Sequence, residues 1–222
     1  ALNSADYTVT EAGFGADLGA EKFMDIVAPQ IHKTPDAVVI VASVRALKYN
    51  GGVKLADLPH ENVKALLKGA ANLAQHVHSM KRYGKPVVVA INRFAGAPDA
   101  GTDREVRALK DYVTKDLQTQ AAVVDVWGQG GHGAQQLAKI VAQDCDQRRT
   151  FHPLYQNSDD LMTKLNRIVQ KCYGGRKAVL SSKAQKQLQQ LKTNGWNRLP
   201  VCVAKTQYSL TDDAHRLGAP KD

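Results

Sequence analysis

The sequence predicts an α/β fold with an open, mostly parallel sheet and helices on both faces. Three observations carry that prediction. Its β-branched runs are mostly apolar throughout rather than alternating, as expected of parallel strands buried on both faces. Long segments of helical periodicity separate these runs, and such alternation builds crossover units rather than hairpins. The chain has 222 residues, 43% of them apolar and 23% charged, enough for one substantial core. That core belongs either to a single unit spanning 1–222 or to two closely packed sub-domains, about 1–150 and 151–222.

Residues 36–44 (DAVVIVASV), 85–91 (KPVVVAI) and 121–127 (AAVVDVW) predict three strands, and 178–180 and 200–204 (PVCVA) predict two more. Helices are expected over 60–82, 103–118, 133–147, 159–172 and 183–192. Thr102 with Glu105, and Ser182 with Gln185, have the capping-box spacing. Asn157 or Ser158 is expected to cap the fourth helix and Gly174-Gly175 to end it. Residues 96–101 (GAPDAG) read as a flexible loop between strand and helix. In such sheets ligands bind beyond the carboxyl ends of the strands, so the loops there are where chemistry is sought.

Composition removes several function classes. No run of about 18 apolar residues exists, which excludes a membrane-spanning helix. Residues 1–10 show neither a basic start nor an apolar stretch, which reads as an intracellular chain, cytoplasmic with a mitochondrial location as the alternative. Cys145, Cys172 and Cys202 are far apart and never in a CxxC pair, so neither a disulfide framework nor a zinc site is expected, and no metal ligand set is assigned. The seven histidines, His32, His60, His76, His78, His132, His152 and His215, form no HxxxH or HExxH pattern, and His132 alone lies in a glycine loop.

The net charge of +9 is unevenly placed. Residues 161–211 contain ten Lys or Arg and no acid. Such a face attracts anions, or stays solvated, or meets a partner domain. Tyr173 and Trp196 are its only large aromatic companions apart from Tyr208, which is thin support for nucleic acid, and no nucleic-acid or membrane partner is expected.

Gly128, Gly130 and Gly133 form a G-x-G-x-x-G between a predicted strand and helix. The second strand with its ribose-binding acid is missing, so a redox dinucleotide enzyme is the weakest reading. Exposed amides at Gly130 and Gly131 still offer an anion site. The triphosphate loop G-x-x-x-x-G-K-[ST] is absent, since the one Gly-Lys pair, Gly84-Lys85, runs into proline. Aromatic residues are scarce at 6%, yet Phe14, Phe94 and Trp127 all fall on strand-end loops, where they could clamp a flat heterocycle or simply pack beneath the loops.

Taken together, residues 10–23 (TEAGFGADLGAEKF), 44–48 (VRALK), Gly51-Gly52, 90–94 (AINRF), Trp127-x-x-Gly130-Gly131-x-Gly133, Leu154-Tyr155 and 200–209 (PVCVAKTQYS) resemble the formate-tetrahydrofolate ligase family. The resemblance runs in order along nearly the whole chain. It implies a three-layer architecture like that of phosphate-loop NTPases, present here as a fragment of a larger enzyme. The family joins formate to tetrahydrofolate with ATP and Mg2+, through formyl phosphate, to give 10-formyltetrahydrofolate. A monovalent cation can accompany the reaction, and no tightly bound cofactor is implied.

By this resemblance Phe14, Phe94 and Trp127 line the pterin site, with Glu11, Asn92, Gly130 and Gly131 around the same cleft. Lys205, Thr206, Gln207 and Ser209 fall on the nucleotide side. The family's phosphate-loop lysine and formyl-phosphate arginine match no residue of this sequence, so the chain alone is expected to be inactive. The resemblance places a missing half before residue 10 and a shorter piece beyond Pro220, with a homo-oligomeric parent. Two departures stand out: Asn50 where the family commonly has histidine before Gly51-Gly52, and Val27-Ala28-Pro29 in place of a basic, cysteine-containing stretch. The alternative is a non-catalytic module that keeps the folate cleft or holds an anion on the basic face.

Overall fold

A computed structural model describes residues 2–219; Pro220 lies outside the described residues. Near the front, π-helical turns Ala16–Ala20 and Phe23–Val27 run into a short α-helix, Ala28–Ile31 (α1). The sheet follows with Val38–Ala42 (β1), Val87–Asn92 (β2) and Gln120–Val124 (β3), parallel and in that spatial order. Val44–Asn50 (α2) and Val63–Lys81 (α3) connect β1 to β2, and Asp103–Asp111 (α4) connects β2 to β3. Beyond β3 come Val126–Gln129 (α5), Gln135–Cys145 (α6), Leu161–Ile168 (α7) and Ser182–Thr193 (α8).

Register follows from burial. Ile40, Val89 and Ala121 share one sheet face, while Val39, Val88 and Gln120 share the other. The first face packs on α3, whose Leu66, Ala70, Leu73, Val77 and Met80 recur at helical spacing and are all buried. Each large side chain in that stripe contributes about 1.5–3 kcal/mol of transfer free energy, so packing, more than propensity, holds the helix. The second face is covered over β2 and β3 by α6, where Ile140 meets Val88 and Ala122. Over β1 it is bare: Val39 is 39% exposed and Val41 66%. Helices therefore flank both faces, the second incompletely.

Two of the five expected strands do not form. In 200–204 the backbone is held by a side chain instead of a ladder: Tyr155 Oη donates to Val201 O at 2.7 Å and accepts from Val201 N at 3.0 Å. In 178–180 the Ala178 amide donates to Asn166 Oδ1. The expected third strand stops at Val124, since Asp125 caps α5, and Trp127 belongs to that short helix.

Capping is partly as expected. The Thr102–Glu105 capping box is complete. The Ser182 pairing is not made, because Ser181 caps α8 by accepting from Ala184 N. Asp160, rather than Asn157 or Ser158, caps α7; its carboxylate accepts two backbone N–H bonds and the Thr163 hydroxyl, which Asn157 and Ser158 are too far upstream to do. Gly174, in the left-handed region, ends the helical segment that continues α7. No described helix is long and apolar enough to cross a membrane.

Candidate functional site

The carboxyl ends of adjacent strands bring two predicted rings side by side along the chain path. Asn92 at the end of β2 is in register with Val124 at the end of β3, and Arg93 N donates to Val124 O at 2.8 Å. Phe94 follows one residue later, 44% exposed, and Trp127 lies three residues past β3, 83% exposed. Phe14 is 81% exposed on a separate loop, where the neighbouring Gly15 shares a cavity with Ala46, Tyr49 and Asn50 of α2. None of the three packs under a loop. Phe14 also has φ of 61°, a left-handed conformation costly for a bulky residue and met mainly where surrounding structure enforces it.

The glycine loop after β3 is built around Asp125. Its carboxylate accepts from Gly128 N at 3.2 Å and from Gln129 Nε2 at 3.1 Å, and the Gln129 bond heads the causes that hold Asp125 below the usual carboxylate range. Gly133 is required by close approach, since a Cβ there would meet Asp125 O at 2.1 Å. The spacing that resembles a dinucleotide fingerprint thus serves a helix cap and a backbone crossing. Gly130 and Gly131 remain exposed. Between the β2 and β3 ends opens a cavity of about 340 Å3, lined by Arg93, Val123, Asp125, Gln129, His132 and Gln136. Arg93 pairs with Asp103 at 2.7 Å, and His132 Nδ1 lies 2.9 Å from Gln135 Nε2.

A second cavity, about 200 Å3, lies between the Phe14 loop, α2, α3 and the last loop, with Gly15, Asp17, His76, Gln207 and Ser209 in its walls. Asp17 is buried and its Oδ2 lies 3.0 Å from Lys205 Nζ. Lys205 also donates to Thr206 O at 3.0 Å and to Ser209 O, and sits 5.2 Å above the Tyr173 ring. Ser209 is buried, with its hydroxyl bonded to Arg216 O. Thr206 Oγ1 accepts from Tyr208 N at 3.3 Å. Of the four residues expected on the nucleotide side, Gln207 is the exposed one without a side-chain hydrogen bond among those described. Glu11 is exposed and Asn92 half-buried.

A profile described as "Formate--tetrahydrofolate ligase" matches residues 1–222. The chain belongs to the formate-tetrahydrofolate ligase family. Proteins named formate-tetrahydrofolate ligase from Lactiplantibacillus plantarum and Leuconostoc citreum are 58% and 55% identical to it, over 99% and 100% of this chain. In each case the alignment covers 39% of the relative, so the chain spans well under half the length of these curated ligases.

Against this ligase framework, Asn50 lines the second cavity and donates to Ala46 O at 3.0 Å. Pro29 stands in the first turn of α1, where a missing N–H costs nothing. The basic stretch offers fewer free cations than its ten residues suggest. Lys164 is buried and donates to three carbonyls, of Asn157, Arg198 and Leu199, while Lys171 donates to Leu154 O. Among the described residues no three His, Cys, Asp or Glu side chains converge as metal ligands.

Sequence reasoning overlooked Asp17, Glu21 and Asp25. They repeat every four residues on one helix face, and that spacing, amid apolar neighbours, is the signal that could have found them.

Proposed function

We propose that this chain carries the pterin-binding loops of an ATP-dependent formate-tetrahydrofolate ligase, an enzyme that makes 10-formyltetrahydrofolate through formyl phosphate. The single observation that supports it best is the exposure of Phe14, Phe94 and Trp127, three large rings on loops, two of them just past the carboxyl ends of β2 and β3. A pterin is flat, and ring faces stack on it through dispersion and quadrupole attraction. Phe94 and Trp127 would hold the heterocycle and Phe14 would close over it.

The cavity between the β2 and β3 ends suits the polar edge of such a ring. A pterin presents its 2-amino group and N3–H side by side, both donors, and the ionised Asp125 carboxylate in the cavity wall accepts such pairs. Gln129 and Gln136 supply amides, Asn92 a further polar group, and the exposed amides of Gly130 and Gly131 favour an anionic part of the ligand. Glu11 lies on the loop that carries Phe14. Gln207 is the residue in the last loop best placed to meet a nucleotide, with Lys205, Thr206 and Ser209 shaping that loop.

Phosphoryl transfer to formate needs Mg2+ and a concentration of positive charge around the phosphate, and formyl phosphate must be kept from water. The sequence has no phosphate loop, so those steps call on residues outside these 222, and the chain alone binds without catalysing. We read it as one α/β unit. Asp25 accepts from Leu154 N at 2.7 Å and Ser79 donates to Cys172 O at 2.7 Å, which ties 151–219 to the sheet layer.

The test is titration with tetrahydrofolate followed by Trp127 fluorescence. Saturable quenching that disappears in Trp127→Ala, with Trp196 as the remaining emitter, is the expected result. A folded chain that shows no quenching at millimolar ligand would sink the reading.

A further inference from the structure

We infer that Lys205 is a positioning residue whose ion contact with Asp17 clasps the Phe14 loop to the 205–209 loop, so that the two proposed ligand subsites open together or stay closed together. Its functional meaning rests on the pterin reading above; its structural content does not.

The contacts run without a break from one loop to the other. Gly19 N donates to Gly13 O at 3.1 Å and Gly15 O at 3.2 Å, folding the Phe14 loop back on the first helical turn. A Cβ on Gly15 would lie 2.4 Å from Asp17 Oδ1, so the carboxylate is seated directly against that loop. Asp17 is held from behind as well, since Tyr173 Oη donates to its carbonyl at 2.9 Å. On the other side the ammonium draws in two carbonyls of its own loop, Thr206 O and Ser209 O. An ammonium has three N–H groups. Two N–H groups go to carbonyls and the ammonium is closed in by the Asp17 carboxylate and the Tyr173 ring, so Lys205 acts through its neighbours rather than on the nucleotide.

The pair is poised to matter because it is almost dry. The side chains of Lys205 and Asp17 are 10% and 6% exposed, and Asp17 Oδ2 makes no hydrogen bond, so the attraction is between charges. Losing one partner strands the other charge inside. His76 also faces Asp17, with its unpartnered Nδ1 4.0 Å from Oδ1; burial holds this histidine below its ordinary value, so Lys205 is the cation of the pair. The 200 Å3 cavity has walls from both loops, so the clasp sets its width.

Hydrogen exchange on this chain tests the inference. Lys205→Met and Asp17→Asn should each speed amide exchange by roughly tenfold or more in both 12–19 and 206–211, leave β2 and β3 unchanged, and give a double variant no faster than either single. Lys205→Arg, which returns the cation, should keep both segments near wild type. The same variants, Arg excepted, should raise the tetrahydrofolate dissociation constant about tenfold. Acceleration confined to 206–211, additive singles, or equal loss in the Arg and Met variants would overturn the clasp. If the singles do not fold, wild type in mild denaturant decides: clasped segments open as one unit with a shared denaturant slope, and separate slopes overturn the proposal. Coupled exchange in a chain that binds no folate would leave the clasp standing and remove the pterin reading. Unchanged folate affinity in variants of a chain that does bind would remove the clasp's role in binding.

Discussion

Glu21 is wholly buried and neither of its carboxyl oxygens makes a hydrogen bond. Burial, with the Asp25 charge adding to it, pushes its carboxyl up to about 9, and burial pushes Asp25 up to about 6 even though Tyr83 Oη and Leu154 N both donate to it at 2.7 Å. At neutral pH Glu21 therefore keeps its proton. A carboxyl whose folded value lies above its unfolded one favours the folded state most at low pH, and that advantage drains away as pH climbs from the unfolded value through about 9. The slope reaches about 1.4 kcal/mol per pH unit for one proton. Glu21→Gln copies the protonated form, so between pH 6 and 9 its stability should fall less steeply with rising pH than that of wild type. Urea unfolding at several pH values across that window measures both, and parallel curves would contradict the protonated assignment. Asp125 and Asp160, held below the ordinary carboxylate range, titrate under this window, while Asp25 titrates at its lower edge in both proteins.

At the scale of elements, the loop bearing Phe94 is braced from α2 and α4. Lys48 and Glu105 form a buried pair at 3.0 Å; Lys48 also donates to His60 O, and Glu105 accepts from Asn62 N at 2.7 Å and Thr102 N at 2.9 Å. One carboxylate thereby fixes the starts of α3 and α4 and the end of the 96–101 loop. Lys48→Met leaves that carboxylate inside without a cation and should cost about 3–5 kcal/mol, seen as a lower denaturant midpoint at unchanged slope. The Thr102 end of this brace was readable from sequence, since a capping box is a local pattern. The Lys48 end was not, because nothing local marks which distant lysine will be buried. The same contrast holds at the site. Phe14, Phe94 and Trp127 are candidates legible in one dimension because rare aromatic residues on loops are conspicuous there, whereas Asp17 and Lys205 meet only after the chain has folded. The run 200–204 misled for a related reason: Pro200 to Ala204 has strand composition, but a strand also needs a partner, and Tyr155 takes its backbone instead.

For the whole molecule, the alternation of apolar runs and helical segments sufficed to give a parallel sheet, because βαβ handedness and burial leave few other arrangements. What alternation could not fix was how much of the sheet this chain covers by itself. β1 pairs only with β2 among the described residues, so its outer edge presents backbone groups without a ladder, and its second face shows Val39 and Val41 to water. A valine-rich edge of that kind is a template for adding a further strand from a neighbouring molecule. Purified alone, the chain should scatter more light as concentration and salt rise, once salt screens its +9 charge. Val41→Lys should suppress that scattering without lowering the melting temperature by more than a degree or so, since the exposed side chain adds little to the core. If that holds, two valines on one narrow ribbon govern how this protein behaves in the tube once salt has quieted its charge.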